Sequence, residues 1–368
     1  MPRLSSDIPV SKQVESHIRA LILNGKLPAG TRLPSNTDLA KESGTSSFTV
    51  QTALARLCRE GLLERKPKLG TFVSSNAVRL TSVAFYFGSG IWEHKEMGFT
   101  QNVYRQIRSR LEDQGARASV WVDDRPQESQ TDIPRSLRRA IERREIQALV
   151  ALSCNHVDLG WITRLSIPIA CMSGDTSVKQ RVGTSIGQFV LSGLEHLHKQ
   201  GCTKVGFIST LTMKSADPAG GYGAGGIYSV FLDAAREYGF KISNDWIHIP
   251  ETYIDTKEQY GWEKFHQIWS SPERPDGLLV WPDSAVRGVM SAVLAQGVSV
   301  PEGLRLAVHI NDKVPCPCPV PCTQIVSDES DLAEGILEML HAQLRGKEVK
   351  PFILQHKIRH HSGGFTEA

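Results

Sequence analysis

Arg32-Leu33-Pro34-Ser35, Asp38-Leu39-Ala40, Gly44-Thr45-Ser46, Thr49-Val50 and Gly70-Thr71-Phe72-Val73 follow one another between positions 32 and 73. Pro34 and Ser35 open a short helix, Gly44 permits a sharp turn out of it, and Ser46 caps a second helix by accepting from an early backbone N–H. The second helix is expected over 47–57, with Val50, Leu54 and Leu57 at i, i+4 and i+7 as its apolar face. Ser47, Phe48, Gln51 and Thr52 are left pointing away from the core near its N-terminal end. Side chains in those positions can enter a major groove.

Working outward, Val14, Ile18, Leu21 and Ile22 form a helical stripe that ends at the stop signal Asn24-Gly25. Three helices then share one small core. Beyond Gly61, the run Leu62-Leu63-Glu64-Arg65-Lys66-Pro67-Lys68-Leu69-Gly70 leads into Thr71-Phe72-Val73, two short strands with a basic tip. The predicted unit is a winged helix-turn-helix over residues 1–75. Lys66 and Lys68, with Arg32 and Arg56, are placed to neutralise phosphates, a term that sets affinity and register rather than sequence preference. The candidate DNA-contacting set is Arg32, Ser35, Thr37, Ser46, Ser47, Phe48, Thr49, Gln51, Arg56, Lys66, Lys68 and Gly70. The expected partner is a double-stranded operator.

The run 10–73 resembles the N-terminal domain of the GntR family of bacterial transcription regulators. Leu33, Pro34, Ser35, Leu39, Ala40, Gly44, Ser46, Thr49, Val50, Ala53, Leu54, Leu57, Glu60, Gly61 and Leu62 all fall in register with its pattern. The chain departs at Thr37 and Ser47, where that family usually has arginine, and at Lys68, where it has glycine. Charge agrees with a DNA reader: residues 1–75 hold eleven Lys and Arg against six Asp and Glu, a net of +5, which leaves −2 for the rest of a chain whose total is +3. Solvation of a small domain would explain such an excess if the motif were absent.

At 368 residues the chain is too long for one winged helix, and the remainder, 76–368, can hold one large or two moderate domains. No window approaches the roughly 20 apolar residues of a membrane helix. The N-terminus lacks an apolar signal segment, so a cytoplasmic protein is expected. Seven cysteines scattered through the chain suit a reducing compartment better than a disulfide framework.

From position 79 onward, short apolar runs alternate with amphipathic helical stretches. Strands are expected over 82–87, 118–122, 148–152, 167–172, 205–208, 277–281 and 306–310. Helices are expected over 99–114, 134–144, 187–200, 228–238, 260–270 and 285–296. This pattern is that of α/β parallel sheets covered on both faces. Two sheets fit the length. Ligands of open parallel sheets sit outside the carboxyl ends of the strands. There the sequence offers Trp92, Asn155, Asp175, Trp281, Asp283 and Asn311, with Tyr222 in a glycine-rich loop. Aromatic plates beside carboxylates and amides suit a polyhydroxylated ligand, so a sugar-like effector is expected.

This second region resembles the effector domain of the LacI/GalR family, itself similar to periplasmic sugar-binding proteins. The resemblance is carried by Leu194, Leu197, Gly201 and Val205-Gly206-Phe207-Ile208, and by Pro275-Asp276-Gly277 leading to Asp283-Ser284-Ala285-Val286-Arg287-Gly288. Further on, Gly297, Val300-Pro301, Leu306-Ala307-Val308, Arg359 and Ser362 also match. It implies a two-lobed domain with a ligand cleft, with Asp283 and Asn311 on sugar hydroxyls. Gly226-Ile227-Tyr228 lacks the arginine often found before that family's mid-domain helix, and Thr184-Ser185 replaces a common aspartate.

Plainer roles compete for each residue. Trp92, Trp281 and Tyr222 can simply pack. Asp283 can be the N-cap of a helix starting near Ala285, and Asp312 can hold a turn. Cys316-Pro317-Cys318-Pro319-Val320-Pro321-Cys322, with His309, invites a metal, but the stiff C-x-C spacing reads better as a proline-rich loop. His196 and His198, at i and i+2, lie on different helix faces. Gly220-Gly221-Tyr222-Gly223-Ala224-Gly225-Gly226 lacks the G-K-[ST] ending of a phosphate loop.

The expectation is therefore a homodimeric, effector-controlled DNA-binding regulator, a repressor without cofactor, metal or enzymatic activity, hinged over 74–79. Two alternatives stand beside it. One is a sugar-binding module whose winged helix no longer reads DNA; the other is the GntR fusion to an aminotransferase-like domain. The latter needs a Schiff-base lysine in a strand–loop context that the chain lacks.

Overall fold

The computed structural model describes residues 9–23, 26–74, 79–88, 98–126, 129–152, 160–173, 178–211, 226–252, 254 and 256–364. Three helices come first: α1 (Val10–Leu23), α2 (Asn36–Ser43) and α3 (Ser47–Arg59). The caps are those the spacing predicts. Ser35 Oγ accepts from the Asp38 N–H at the start of α2, Gly44 closes α2 in the left-handed region at φ 61°, and Ser46 Oγ accepts from the Thr49 N–H at the start of α3. Strands β1 (Leu63–Lys66) and β2 (Gly70–Val73) pair antiparallel in the register Leu63↔Val73. Residues 31–33 add to the β2 edge, where the Leu33 N–H donates to the Thr71 carbonyl at 2.8 Å and the Val73 N–H to the Thr31 carbonyl at 2.8 Å. Val14, Ile18, Ile22, Leu39, Val50, Leu54 and Leu57 fill the core between the helices. Each such side chain contributes about 1.5–3 kcal/mol on full burial.

The remainder alternates as expected. The elements are β3 (Ser82–Phe87), α4 (Gly98–Asp113), β4 (Arg117–Val122), α5 (Arg135–Glu142), β5 (Ala148–Leu152), α6 (Gly160–Thr163), β6 (Ile169–Met172) and β7 (Arg181–Thr184). They continue with α7 (Ile186–Lys199), β8 (Val205–Ser209), α8 (Gly226–Glu237), β9 (Ile247–His248), α9 (Lys257–Trp269), β10 (Gly277–Trp281) and α10 (Asp283–Ala295). The chain closes with β11 (Arg305–Asn311), β12 (Pro321–Ser327), α11 (Glu329–Leu344), β13 (Phe352–Leu354) and β14 (Lys357–Ser362). Two six-stranded sheets result, in the orders β13-β7-β6-β5-β3-β4 and β14-β12-β11-β10-β8-β9. β13 with β7, β6 with β5, β5 with β3, β3 with β4, β12 with β11, β11 with β10, β10 with β8 and β8 with β9 pair parallel, and β12 with β14 pairs antiparallel.

The chain divides into two compact units. One comprises Met1–Ser89, Ile107–Cys171 and Ile336–Lys350; the other comprises Gly90–Gln106, Met172–Gly335 and Pro351–Ala368. In the second, the β10–β11 face toward α9 and α10 carries Leu278, Val280, Leu306, Val308 and Ile310. The opposite face, toward α7 and α8, carries Phe207, Leu279, Trp281, Ala307 and Ile325. Helices α9 and α10 cross so closely that a Cβ on Gly261 would lie 2.2 Å from the Ala285 carbonyl oxygen, and one on Gly288 1.8 Å from that of Glu258. No helix among the described residues is long and apolar enough to cross a membrane.

Candidate nucleic-acid interface and effector site

The exposed end of α3 is where sequence reasoning places it. Phe48 is 78% exposed, an unusual state for a large apolar side chain, and Ser47 and Gln51 are exposed beside it. Ser46 and Thr49 serve the cap as well: their hydroxyls lie 2.9 Å apart while Ser46 Oγ holds the Thr49 N–H at 3.1 Å. Ser35 is committed similarly, donating to Asp38 Oδ2 at 2.6 Å. Thr37 is exposed in the first turn of α2.

At the wing, Lys68 takes the left-handed conformation, φ 63°, at the tip of the β1–β2 turn, and Lys66 pairs with Glu64 at 2.9 Å over the ring of Phe72. Gly70 has a structural reason of its own. Its φ is 116°, and a Cβ there would meet the Arg32 guanidinium at 3.2 Å. Arg32 thus lies against the base of the wing. Arg56, assigned to phosphate from the sequence, also has partners within the protein. Its guanidinium faces Glu15 of α1 at 3.5 Å, and its carbonyl accepts from Arg144 at 3.2 Å. The same Arg144 pairs with Glu60 at 2.8 Å, and Glu60 also pairs with Arg19.

In the second unit, β10, β11 and β12 end at Trp281, Asn311 and Ser327. Helix α10 begins two residues earlier than the sequence suggests, so Asp283 is its first residue and Pro282 holds the cap position. The alternative reading of Asp283 as the N-cap is therefore corrected. Its Oδ1 accepts from the Ser284 N–H at 2.9 Å, and it is buried with Asn311. Trp281 is 7% exposed and packs its ring on Phe189, at 5.1 Å between centroids, and on His309, at 3.6 Å. Asp312 sits in the turn closed by the Val314 N–H on the Asn311 carbonyl at 3.1 Å, and it is an ion-pair partner as well. Lys313, at 2.7 Å, and Arg359 hold its carboxyl below the ordinary range.

A chain of polar groups, buried at His309 and Ser327 and half-buried at His356 and Ser185, runs beside Trp281. His309 Nε2 lies 2.9 Å from Ser327 Oγ, Ser327 Oγ lies 3.2 Å from His356 Nδ1, and His356 Nε2 lies 2.9 Å from the Ser185 carbonyl oxygen. Burial lowers the pKa of both imidazoles, for His309 well below its usual value. Sequence reasoning gave His309 only a metal role. A histidine interrupting the apolar run 306–310 is the signal that marks it.

In the first unit another cluster was missed. Arg125 forks onto Asp123 at 2.8 Å and reaches Asp132 at 2.8 Å, while the Tyr86 hydroxyl donates to Asp123 at 2.8 Å. Asp123 follows β4 directly, so the strand-end rule applied elsewhere would have found it. Its pKa is lowered; burial alone would raise it, and the hydrogen bonds from Arg125 and Tyr86 outweigh that.

Trp92, Asn155, Asp175 and Tyr222 lie outside the described residues, as do Asn24-Gly25 and most of the expected hinge. Among the described residues no group of three His, Cys, Asp or Glu could hold a metal ion. Cys316 instead donates to the Asp283 carbonyl at 3.4 Å, and Cys322 falls within β12 rather than in a loop.

Residues 10–73 match the family described as bacterial regulatory proteins, gntR family. The winged helix is a GntR domain. Residues 194–353 match the periplasmic binding protein-like domain family. The GntR domain is 43% identical over 67 residues to the HTH-type transcriptional regulator Rv0792c of Mycobacterium tuberculosis, a match spanning 18% of this chain and 25% of that protein. The fold is similar to that of a transcriptional regulator from Yersinia pestis biovar Microtus, with TM-score 0.60 and 15% identity over 78% of this chain and 99% of that one. It is also similar to a LacI family transcription regulator from Clostridium acetobutylicum, with TM-score 0.56 and 15% identity over 76% and 98% of the respective chains. The GntR domain is thus joined to a LacI-like α/β fold.

Proposed function

We propose that the chain is a DNA-binding transcription regulator, a repressor acting as a homodimer in the cytoplasm, with residues 1–75 reading DNA and 76–368 sensing a small sugar-like effector. The observation that carries this reading is the exposed N-terminal end of α3, with Phe48 solvated beside Gln51 and a cationic wing alongside. A solvated Phe at a helix N-terminus suits contact with a thymine methyl, and Gln51 suits the adenine edge. Thr37, Ser47, Lys66, Lys68 and Arg32 then hold the backbone. Arg56 completes this set, with Glu15 as its partner within the domain.

The effector reading rests on Trp281, Asp283 and Asn311 at neighbouring strand ends, the location ligands favour in parallel sheets. Trp92, Asn155, Asp175 and Tyr222 complete the proposed set. Effector acts by binding one of two forms of the protein more tightly, which alone can shift DNA affinity. Footprinting of the full chain on the DNA upstream of its own gene tests the reader. The expected result is two protected half-sites whose centres lie about one helical turn, or a multiple of it, apart. Protection that is uniform at every sequence offered contradicts specific operator reading.

A further inference from the structure

We infer that His309 is a hydrogen-bond acceptor for the effector, so that the bound molecule presents a hydroxyl or amine N–H to its Nδ1. The inference rests on the effector site proposed above and adds the chemistry that the site selects.

Proton bookkeeping starts at a group whose role is fixed. The Ser185 carbonyl oxygen only accepts, so His356 Nε2, 2.9 Å away, carries a hydrogen. The Val326 carbonyl also faces this ring, and a protonated His356 would serve both carbonyls, but burial outweighs them and keeps the ring neutral with a single N–H. Its Nδ1 is then a lone pair, and the Ser327 hydroxyl 3.2 Å away must donate to it. That hydroxyl has one proton to give, so toward His309 Nε2, at 2.9 Å, it can only accept. His309 is therefore the Nε2–H tautomer, and burial keeps it neutral. Its Nδ1 is a bare lone pair, buried, with no partner among the described residues.

The ring itself is 2% exposed and lies against Trp281 and Phe189, neither of which offers a donor toward Nδ1. A buried acceptor left without a donor is costly, and protein interiors rarely tolerate it. His309 stands two residues before Asn311 on the same strand face, and Trp281 and Asp283 stand at the next strand's end. Two adjacent strand ends thus bring together an indole, a carboxylate and, one pleat below, an imidazole with an unpartnered nitrogen, groups suited to C–H faces and to donors. A neutral or amino polyol satisfies them; a phosphate ester or sugar acid at the same point brings another acceptor and is rejected.

The test uses the full chain and a panel of D-glucose, D-galactose, D-ribose, L-arabinose and D-glucosamine, each with its phosphate ester or sugar acid, followed by calorimetry and thermal shift. His309→Gln keeps a donor at the ε position for Ser327 but has no δ acceptor, whereas His309→Asn supplies an acceptor at the δ position. We expect a neutral or amino sugar to bind the wild type, the Gln variant to bind it about tenfold more weakly or worse, and the Asn variant to recover most of that loss. In ligand-free protein, ¹⁵N NMR of the histidine ring should show a proton on Nε2 and none on Nδ1. Equal binding by wild type and Gln variant overturns the proposal while leaving the effector site standing, as does a proton on Nδ1. A wild type that binds no panel member contradicts the polyol site itself, and the inference falls with it.

Discussion

Lys68 shows best how one residue separates folding from function. It occupies the left-handed region, where an L side chain costs about 1–2 kcal/mol relative to glycine, at a position that resembles the GntR pattern except that glycine is usual there. In the proposed reader this strained cation has a role that offsets its cost, contact with a DNA phosphate. Lys68→Gly should therefore raise unfolding free energy by about 1 kcal/mol in urea titrations, yet weaken DNA binding and lower its salt slope by about one. A variant that is more stable and binds DNA unchanged removes Lys68 from the interface. Ser46→Ala tests the neighbouring cap: losing the acceptor for the Thr49 N–H should cost about 1 kcal/mol of stability. Residues of this kind were legible because their chemistry is local. A cap, a left-handed glycine and a solvated helix end declare themselves within a few positions. His309, Ser327 and His356 did not, because they are far apart in sequence and only the parallel register of β11 with β12 brings the first two together.

At the scale of elements, α3 and the α9–α10 pair make different demands. Helix α3 buries Val50, Ala53, Leu54 and Leu57 and leaves Ser47, Phe48 and Gln51 exposed, so in the proposed reader its surface should be tolerant in stability and intolerant in recognition. Gln51→Ala should leave the urea midpoint nearly unchanged, while affinity for the operator falls by about 1–3 kcal/mol in anisotropy titrations and specificity relaxes at one base pair. Helices α9 and α10 are the reverse. Gly288→Ala places a methyl into the Glu258 carbonyl and should cost at least 1–3 kcal/mol, read as a lower melting temperature with no direct effect on the DNA surface. Most strands and helices could be read from apolar runs and helical stripes, with ends shifted by a few residues. The strands missed were β7, β9, β12, β13 and β14: short, edge-placed or, for β12, hidden behind a proline-rich lead. The helix α11 and the single turn α6 were missed as well. The strand β14 is mostly exposed, Lys357 to Ser362 reading as charge and histidine, because a sheet edge needs no apolar alternation.

For the whole molecule, acid stability follows from several imidazoles that folding buries wholly or in part. His248 is held at about 4 by burial, and burial also lowers His309, His341 and His356. Each folded pKa lies below the ordinary value near 6.5, so on acidification the unfolded chain takes up protons first. Stability present above about pH 6.5 is thus lost progressively as pH falls toward 4, and His248→Gln should flatten that fall in urea titrations at pH 7, 6 and 5. The larger claim is that sensing and reading are linked in one chain, with sugar and operator favouring different forms. Linkage makes the effect reciprocal: whatever factor the sugar imposes on DNA affinity, DNA imposes on sugar affinity. The decisive measurement is the affinity of the full chain for its upstream DNA, by fluorescence anisotropy at fixed salt, with and without a saturating sugar identified by calorimetry. A fall of about 5–150-fold on adding sugar, matched by an equal fall in sugar affinity on adding DNA, is the predicted result. Identical DNA affinity in both conditions, with the sugar shown to be bound, contradicts the account.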